Sequence, residues 1–352
     1  MKRYILRALA LIICAVTVVG TLVSCSKEPY PYELDEYIIM PEDFSLITVT
    51  KAEIDTAIRE RISSVLKNSA VEQPVMNRGA GIGDILNLSL VCYKLDTYTE
   101  DRLEGKYIGA ITDNDCTVRI GDGKYPQELE NALIGKAAGD SFNVQARLPD
   151  TYTVDSLGAT NVVYECVVKS VKESVFPAYN DEFVKSVSEY QTVLEYEESL
   201  RKPVIEELAF GKLLEQCSFK AYPIEEVNRH TSNFISYYTD LASSSQITLE
   251  QYVAKKLFIE LSEFHLEADA YAKQMVKSEL LLYSLVRKYE LEVTNEEYTA
   301  GARMYAAKYG LESVSALESK FGIDYVMQTV QMDKVMAFLA ERVTVEDGNS
   351  PA

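Results

Sequence analysis

Two hydrophobic rhythms divide this chain, and they constrain its fold more than any single residue does. In three stretches apolar side chains fall on alternate positions: Leu86, Leu88, Leu90 and Cys92; Phe142, Val144, Ala146 and Leu148; and Val162, Tyr164, Cys166 and Val168. Successive side chains on a strand point to opposite faces, so this pattern predicts strands with one buried face. Beyond Pro177 the repeat lengthens to three or four residues and stays so nearly to the end. Val227, Phe234, Tyr238 and Leu241 then share a helical face, as do Tyr271, Met275, Leu282 and Val286, and Tyr325, Val326, Val330 and Met336. Thr248 with Gln251 and Thr294 with Glu297 have capping-box spacing, and Gly310 and Gly322 are helix stops. Ahead of the strands, Thr50 with Glu53 opens another amphipathic helix, carrying Ile54, Ile58, Ile62, Val65 and Leu66 and ending near Asn68. Between the strands lie Gly121-Asp122-Gly123, a short helical piece from Gln127 to Leu133, and turn residues Gly135 and Gly139. The expected class is α+β: a small antiparallel sheet domain with one helix, followed by an all-helical domain.

Composition narrows the chemistry. With 352 residues, 47% of them hydrophobic, the chain has apolar material for two or three cored domains. Its 35 Lys and Arg against 54 Asp and Glu give a formal charge of −19, which repels a polyanion, so nucleic acid is an unsuitable partner. Two histidines and no tryptophan disfavour a histidine relay or a zinc site. His230 sits in a polar helical run and His265 beside Phe264 and Leu266, and neither is assigned a role. Cys92, Cys116, Cys166 and Cys217 form no C-x-x-C pair, so no metal and no cofactor is expected. Three of these cysteines lie in strand-like apolar runs and read as small buried hydrophobes; a Cys92–Cys166 bridge stays open.

The amino terminus addresses the compartment. Lys2, Arg3 and Arg7 precede a largely apolar run from Ala8 to Val23, shorter than the ~20 residues a spanning helix needs. It ends in Leu22-Val23-Ser24-Cys25, which resembles the lipobox of bacterial lipoprotein signals. That resemblance implies cleavage after Ser24 and lipid on Cys25, whose thiolate is the nucleophile such acylation needs. Several acyl chains give stable anchoring where one alone is marginal. Losing Lys2, Arg3 and Arg7 takes the charge from −19 to −22, so lipid and not charge would hold the chain at an anionic leaflet. Ser26 to Leu34, with Pro29 and Pro31 between tyrosines, reads as a short extended spacer.

Four segments in order then resemble a known family: Gly83-Asp84-Ile85-Leu86-Asn87-Leu88; Ile120-Gly121-Asp122-Gly123; Leu129-Glu130-Asn131-Ala132-Leu133-Ile134-Gly135-Lys136-Ala137-Ala138-Gly139-Asp140; and Leu148-Pro149-Asp150-Thr151-Tyr152. They are similar to the FKBP-type domain of trigger factor. Pro177-Ala178-Tyr179-Asn180-Asp181-Glu182-Phe183-Val184 resembles that family's junction into its helical chaperone domain, and the helix start Val293-Thr294-Asn295-Glu296-Glu297 fits as well. The resemblance spans roughly residues 45 to 345. The Gly-Phe-Arg-type signature of the family's ribosome-binding domain does not occur in the sequence, so no ribosome contact is expected. The implied organisation is a signal at 1–24, a lipidated tether and amphipathic helix at 25–75, an FKBP-like domain at 76–174, a helical chaperone domain at 175–345 and a tail at 346–352. The implied partners are unfolded or newly exported polypeptides, with the membrane reached through lipid at Cys25.

The resemblance also implies a prolyl pocket. Isomerisation must lower a ~20 kcal/mol amide barrier, and an apolar site that binds the twisted amide better than the planar one does so without a proton relay. The family's pocket positions fall on Leu90, Leu103, Leu129 and Tyr164, with Glu104 at the acidic position and Tyr152 in the covering loop. Three are aliphatic where the family usually has an aromatic, which makes a smaller and less rigid wall. At the position where the family uses an isoleucine N–H to hold the peptide stands Pro126, which has no N–H. Leaving that peptide carbonyl unpaired costs about 1–3 kcal/mol, and weak or absent turnover is expected. Client contacts are expected on the helical domain at Phe234, Tyr238, Tyr271, Met275 and Tyr305, with Phe258 among further aromatic and methionine side chains suited to unspecific binding. Rival readings are an intact FKBP-type isomerase, a parvulin-type foldase, which would carry pocket histidines, and an adhesive surface lipoprotein, which would carry repeats; no repeat is visible.

Overall fold

The computed structural model describes residues 30–43, 47–98, 107–150, 152 and 157–346. In chain order the strands are β1 (Ile38–Ile39), β2 (Thr48–Thr50), β3 (Val71–Pro74), β4 (Ile85–Lys94), β5 (Asp113–Arg119), β6 (Ser141–Arg147), β7 (Asn161–Val175), β8 (Ser218–Phe219) and β9 (Thr344–Glu346). The fold is α+β, and the chain forms two compact units. A sheet unit comprises Arg61–Glu189 together with Tyr238–Glu267; a helical unit comprises the described residues up to Glu60, Tyr190–Tyr237 and those from Ala268 onward.

The sheet unit is built on β7, whose 15 residues are long enough to carry two partners end to end on one edge. β6 pairs along Asn161–Val167 and β3 along Lys172–Val175, while β4 pairs along Val162–Lys172 and carries β5 outside it, all antiparallel. The alternation read from the sequence sorts the faces. Leu86, Leu88, Leu90 and Cys92 of β4, Cys116 and Val118 of β5, and Tyr164, Cys166 and Val168 of β7 enter one core, closed by Leu129 and Leu133 of the helix Gln127–Leu133. Each fully buried leucine contributes about 1.5–3 kcal/mol. Cys92, Cys116 and Cys166 are buried thiols and no Cys92–Cys166 bridge is made: Cys166 stands opposite Leu90 and Cys92 opposite Tyr164. Gly79 is required by close approach, since a Cβ there would lie 2.2 Å from the Gly135 carbonyl oxygen.

The helical unit packs Leu213 of the helix Val193–Gln216, Val276, Leu280 and Leu285 of the helix Leu261–Tyr289, and Val335 and Leu339 of the helix Ile323–Ala340. The expected caps form. The Thr50 N–H donates to Glu53 Oε2 at 2.8 Å and the Glu53 N–H to Thr50 Oγ1 at 3.3 Å, opening the helix Lys51–Asn68. Thr294 with Glu297 and Thr248 with Gln251 do the same. Among the described residues no helix is long and apolar enough to cross a membrane.

The spacer expectation needs correction from Tyr30 onward. Tyr30 is 4% and Leu34 6% exposed, both inside the helical core. The Tyr30 ring stacks on Tyr283 at 4.5 Å between centroids. Arg287 donates to the carbonyls of Tyr30 and Tyr32 at 2.5 and 2.7 Å, and β1 pairs with β8. The tyrosine rings carry enough apolar area to dock instead of remaining solvated, and Leu34–Glu36 turn into a short 3-10 helix. Tyr30→Ala should therefore lower the stability of the helical unit by about 3–5 kcal/mol in urea titration; a mere tether would leave the midpoint unchanged.

Candidate functional site

Four of the expected pocket positions converge. Leu90 from β4, Leu129 from the helix Gln127–Leu133, Tyr164 from β7 and Tyr152 from the loop after β6 share one core cluster, at 1%, 0%, 3% and 7% exposure. Leu103 and Glu104 lie outside the described residues. Pro126 is buried at the start of the helix, where its carbonyl accepts from the Leu129 N–H at 3.0 Å. It offers no N–H of its own.

The loop before Pro126 is held from beneath. The buried Glu130 carboxylate accepts from the Gly121 N–H at 2.8 Å and the Tyr125 N–H at 3.4 Å. Gly121 has φ +95°, a left-handed backbone that glycine adopts without strain. The Tyr125 hydroxyl reaches Cys116 Sγ at 2.9 Å; burial raises the pKa of this phenol, so it stays protonated.

Over this loop lies a segment of the same unit that is remote in sequence. Val253–Leu257 form a π-helical turn, and Phe258 follows in the left-handed region at φ +60°. Ala254 and Phe258 pack on the sheet core, and the Phe258 ring meets Tyr125 edge to face at 5.0 Å. Lys256 Nζ pairs with Asp113 Oδ2 at 2.8 Å. Burial disfavours the ionised Asp113, but the hydrogen bond and charge of Lys256 prevail and lower its pKa. A neighbouring cleft of about 430 Å³ is lined by Val91, Tyr107, Gly109, Thr112, Asn114 and Lys255. Among the described residues there is no cluster fit to hold a metal ion. The chemistry on offer is apolar binding bordered by the Asp113 carboxylate, with Glu130 engaged by the loop backbone.

The expected client residues have different local environments. Phe234 is buried, with its ring 5.0 Å from that of Tyr271. Met275 is half-buried on the same helix as Tyr271. The Tyr305 hydroxyl donates to Asp333 at 2.7 Å beside a separate small cluster of helical residues. Tyr238 belongs to the sheet unit, edge-on to Phe264 at 5.2 Å. Cys25 lies outside the described residues.

Sequence reasoning gave no role to His230, yet the structure buries it in a polar knot of the helical unit. Glu279 Oε1 is 3.0 Å from His230 Nε2, 2.7 Å from Arg229 and 3.0 Å from the Gln328 amide. Glu226 holds Arg229 from the other side at 2.7 Å. Arg229 and His230 are visible as neighbours in the sequence, but nothing there announces a carboxylate 49 residues away.

Comparison with known proteins finds one family. Residues 184–341 match the family model described as the bacterial trigger factor protein C-terminus. The chain is 23% identical over 333 residues to the trigger factor of Finegoldia magna, covering 90% of this chain and 72% of that one. It is 23% identical over 319 residues to the trigger factor of Acetivibrio thermocellus, covering 86% and 72%. A chain from a solved structure titled for promiscuous substrate recognition by the trigger factor chaperone overlaps 87% of this chain and 73% of its own length at 19% identity, with a TM-score of 0.32. Residues 184–341 are thus similar to the trigger factor C-terminus, within a chain that resembles trigger factors over most of its length.

The polar knot makes stability depend on pH. Burial works against ionised Glu279, but its contacts with His230, the charge of Arg229 and the Gln328 hydrogen bond outweigh it and bring the carboxyl from 4.5 to about 2. A depressed carboxyl stabilises the fold above its unfolded pKa and loses that contribution as pH falls through the folded one. On the order of 3 kcal/mol should thus disappear between about pH 4.5 and pH 2. Glu279→Ala should cost about 1–3 kcal/mol at pH 7 by removing the buried acceptor that Arg229, His230 and Gln328 share. Urea titrations of both proteins across that pH range check this: the wild-type chain should approach the variant at the acid end.

Proposed function

We propose that this chain is a lipid-anchored folding factor acting outside the cytosol, which holds newly exported polypeptides and does not engage the ribosome. Its sheet unit is an FKBP-type prolyl isomerase domain whose turnover is weak or lost. The match of residues 184–341 to the trigger factor C-terminus carries the folding-factor part of this reading. The basic start, apolar run and Leu22-Val23-Ser24-Cys25 support the export and anchoring part. Pro126 at the donor position and the near-complete burial of Leu90, Leu129, Tyr152 and Tyr164 support low turnover, since a substrate ring needs an open apolar recess. The charge of −19 keeps such a holder soluble and favours basic or apolar clients.

Purified residues 26–352 should suppress light scattering by a heat-aggregating enzyme at comparable molarity; undiminished aggregation in molar excess would contradict the holding role. The same preparation should isomerise a proline-containing tetrapeptide barely above background. Pro126→Ile should raise that rate about 5- to 150-fold, the equivalent of one restored donor; an unchanged rate would reject the missing-donor explanation. In membrane fractionation, the chain should sediment with membranes and Cys25→Ser should not; a variant that still sediments would refute lipid attachment at that residue.

A further inference from the structure

The turn Val253–Phe258 raises a question that the proposed function does not answer: why a helical segment presses a lysine and a phenylalanine onto the sheet unit at the expected peptide site. Its geometry is costly. A phenylalanine at φ +60° takes on left-handed strain, and the π-helical turn before it has poorer hydrogen-bond geometry than an α-helix. Two contacts compensate. Phe258 sits edge to face on Tyr125, the residue immediately before Pro126, and packs on the cluster that contains Leu90, Leu129 and Tyr164. Lys256 pairs with Asp113, which stands opposite Leu90 at the start of β5. Thus an aromatic ring and, two residues before it, an ammonium group are matched to an apolar platform and a carboxylate.

We propose that Lys256-Leu257-Phe258 is an intramolecular pseudo-ligand, and that the platform of Tyr125 and Asp113 is a subsite for polypeptide segments with a basic residue two positions ahead of an aromatic one. A client segment of that kind displaces the turn, and the docked turn keeps the apolar platform covered when no client is present. Charge supports this occupant: Asp113 supplies the local anion, and the chain as a whole carries −19. The ion pair is partly exposed, with side-chain exposures of 38% for Lys256 and 22% for Asp113, so it gives selectivity and register more than affinity. The proposal rests on the holding function and specifies its ligand.

The test is fluorescence anisotropy with the full chain and a labelled peptide, Ala-Lys-Leu-Phe-Ala, against its Gln-Leu-Phe counterpart. Phe258→Ala removes the ring that covers the platform and should tighten binding of the Lys peptide about tenfold or more. Lys256→Glu leaves the ring's packing in place, turns the ion pair into a repulsion, and should tighten binding in the same direction even if Phe258→Ala folds poorly. Adding Asp113→Asn to either variant should abolish the preference for the Lys peptide over the Gln peptide. Unchanged affinity in Lys256→Glu, or a Lys preference that survives Asp113→Asn, would overturn the proposal. The aggregation assay on the same preparations separates the two claims: suppression by the wild-type chain with unaltered peptide binding in the variants rejects the pseudo-ligand alone, whereas loss of suppression rejects the holding function itself.

Discussion

The apolar face of a small antiparallel sheet is the constraint on which the sheet unit depends. A strand sequence with strict alternation commits every second side chain to one face, and that face must be removed from water. Here a seven-residue helix, the loops on either side of it and the remote turn at Val253–Phe258 share the task. The covering is what brings Tyr125, Pro126 and Phe258 together, because the same Leu90, Leu129 and Tyr164 that complete the core form the floor of the candidate site. Floor and core are thus one set of residues, and changing one changes the other.

In the helical unit an equivalent demand is met by helix packing and by one buried polar exception. Glu279 is 3% exposed, and its Oε1 accepts hydrogen bonds from three residues. Low dielectric makes each of those contacts count and makes a lone partner expensive. The knot ties the helix Ile224–Ser244 at Arg229 and His230 to the helix Leu261–Tyr289 at Glu279 and the helix Ile323–Ala340 at Gln328. The strip from Tyr30 to Met40 adds its aromatic and aliphatic side chains to the same unit.

Much of this was legible in the sequence because it is local. Period two and period 3.6 separated sheet from helices, Thr50–Glu53 and Thr294–Glu297 marked helix starts through hydrogen bonds three residues apart, and Gln127–Leu133 formed as read. The convergence of Leu90, Leu129, Tyr152 and Tyr164 was legible through a family resemblance and not through periodicity. What remained hidden is non-local. The Lys256–Asp113 pair joins residues 143 apart, and Tyr30 docks on Tyr283 across the length of the chain. By its type alone Phe258 reads as suited to client contact; its left-handed backbone and its place over Tyr125 have no sequence signature, since neither glycine nor asparagine stands there.

In the proposed function this chain grips unfinished polypeptides, and in the proposed subsite a client frees the platform that the chain's own turn covers. Amide hydrogen exchange on the full chain, with and without a permanently unfolded basic client protein, addresses both parts at once. The predicted result is slower exchange in helices between residues 184 and 341 on adding client, together with faster exchange confined to Val253–Phe258. Identical exchange in both states, with the client demonstrably present in excess, would contradict it.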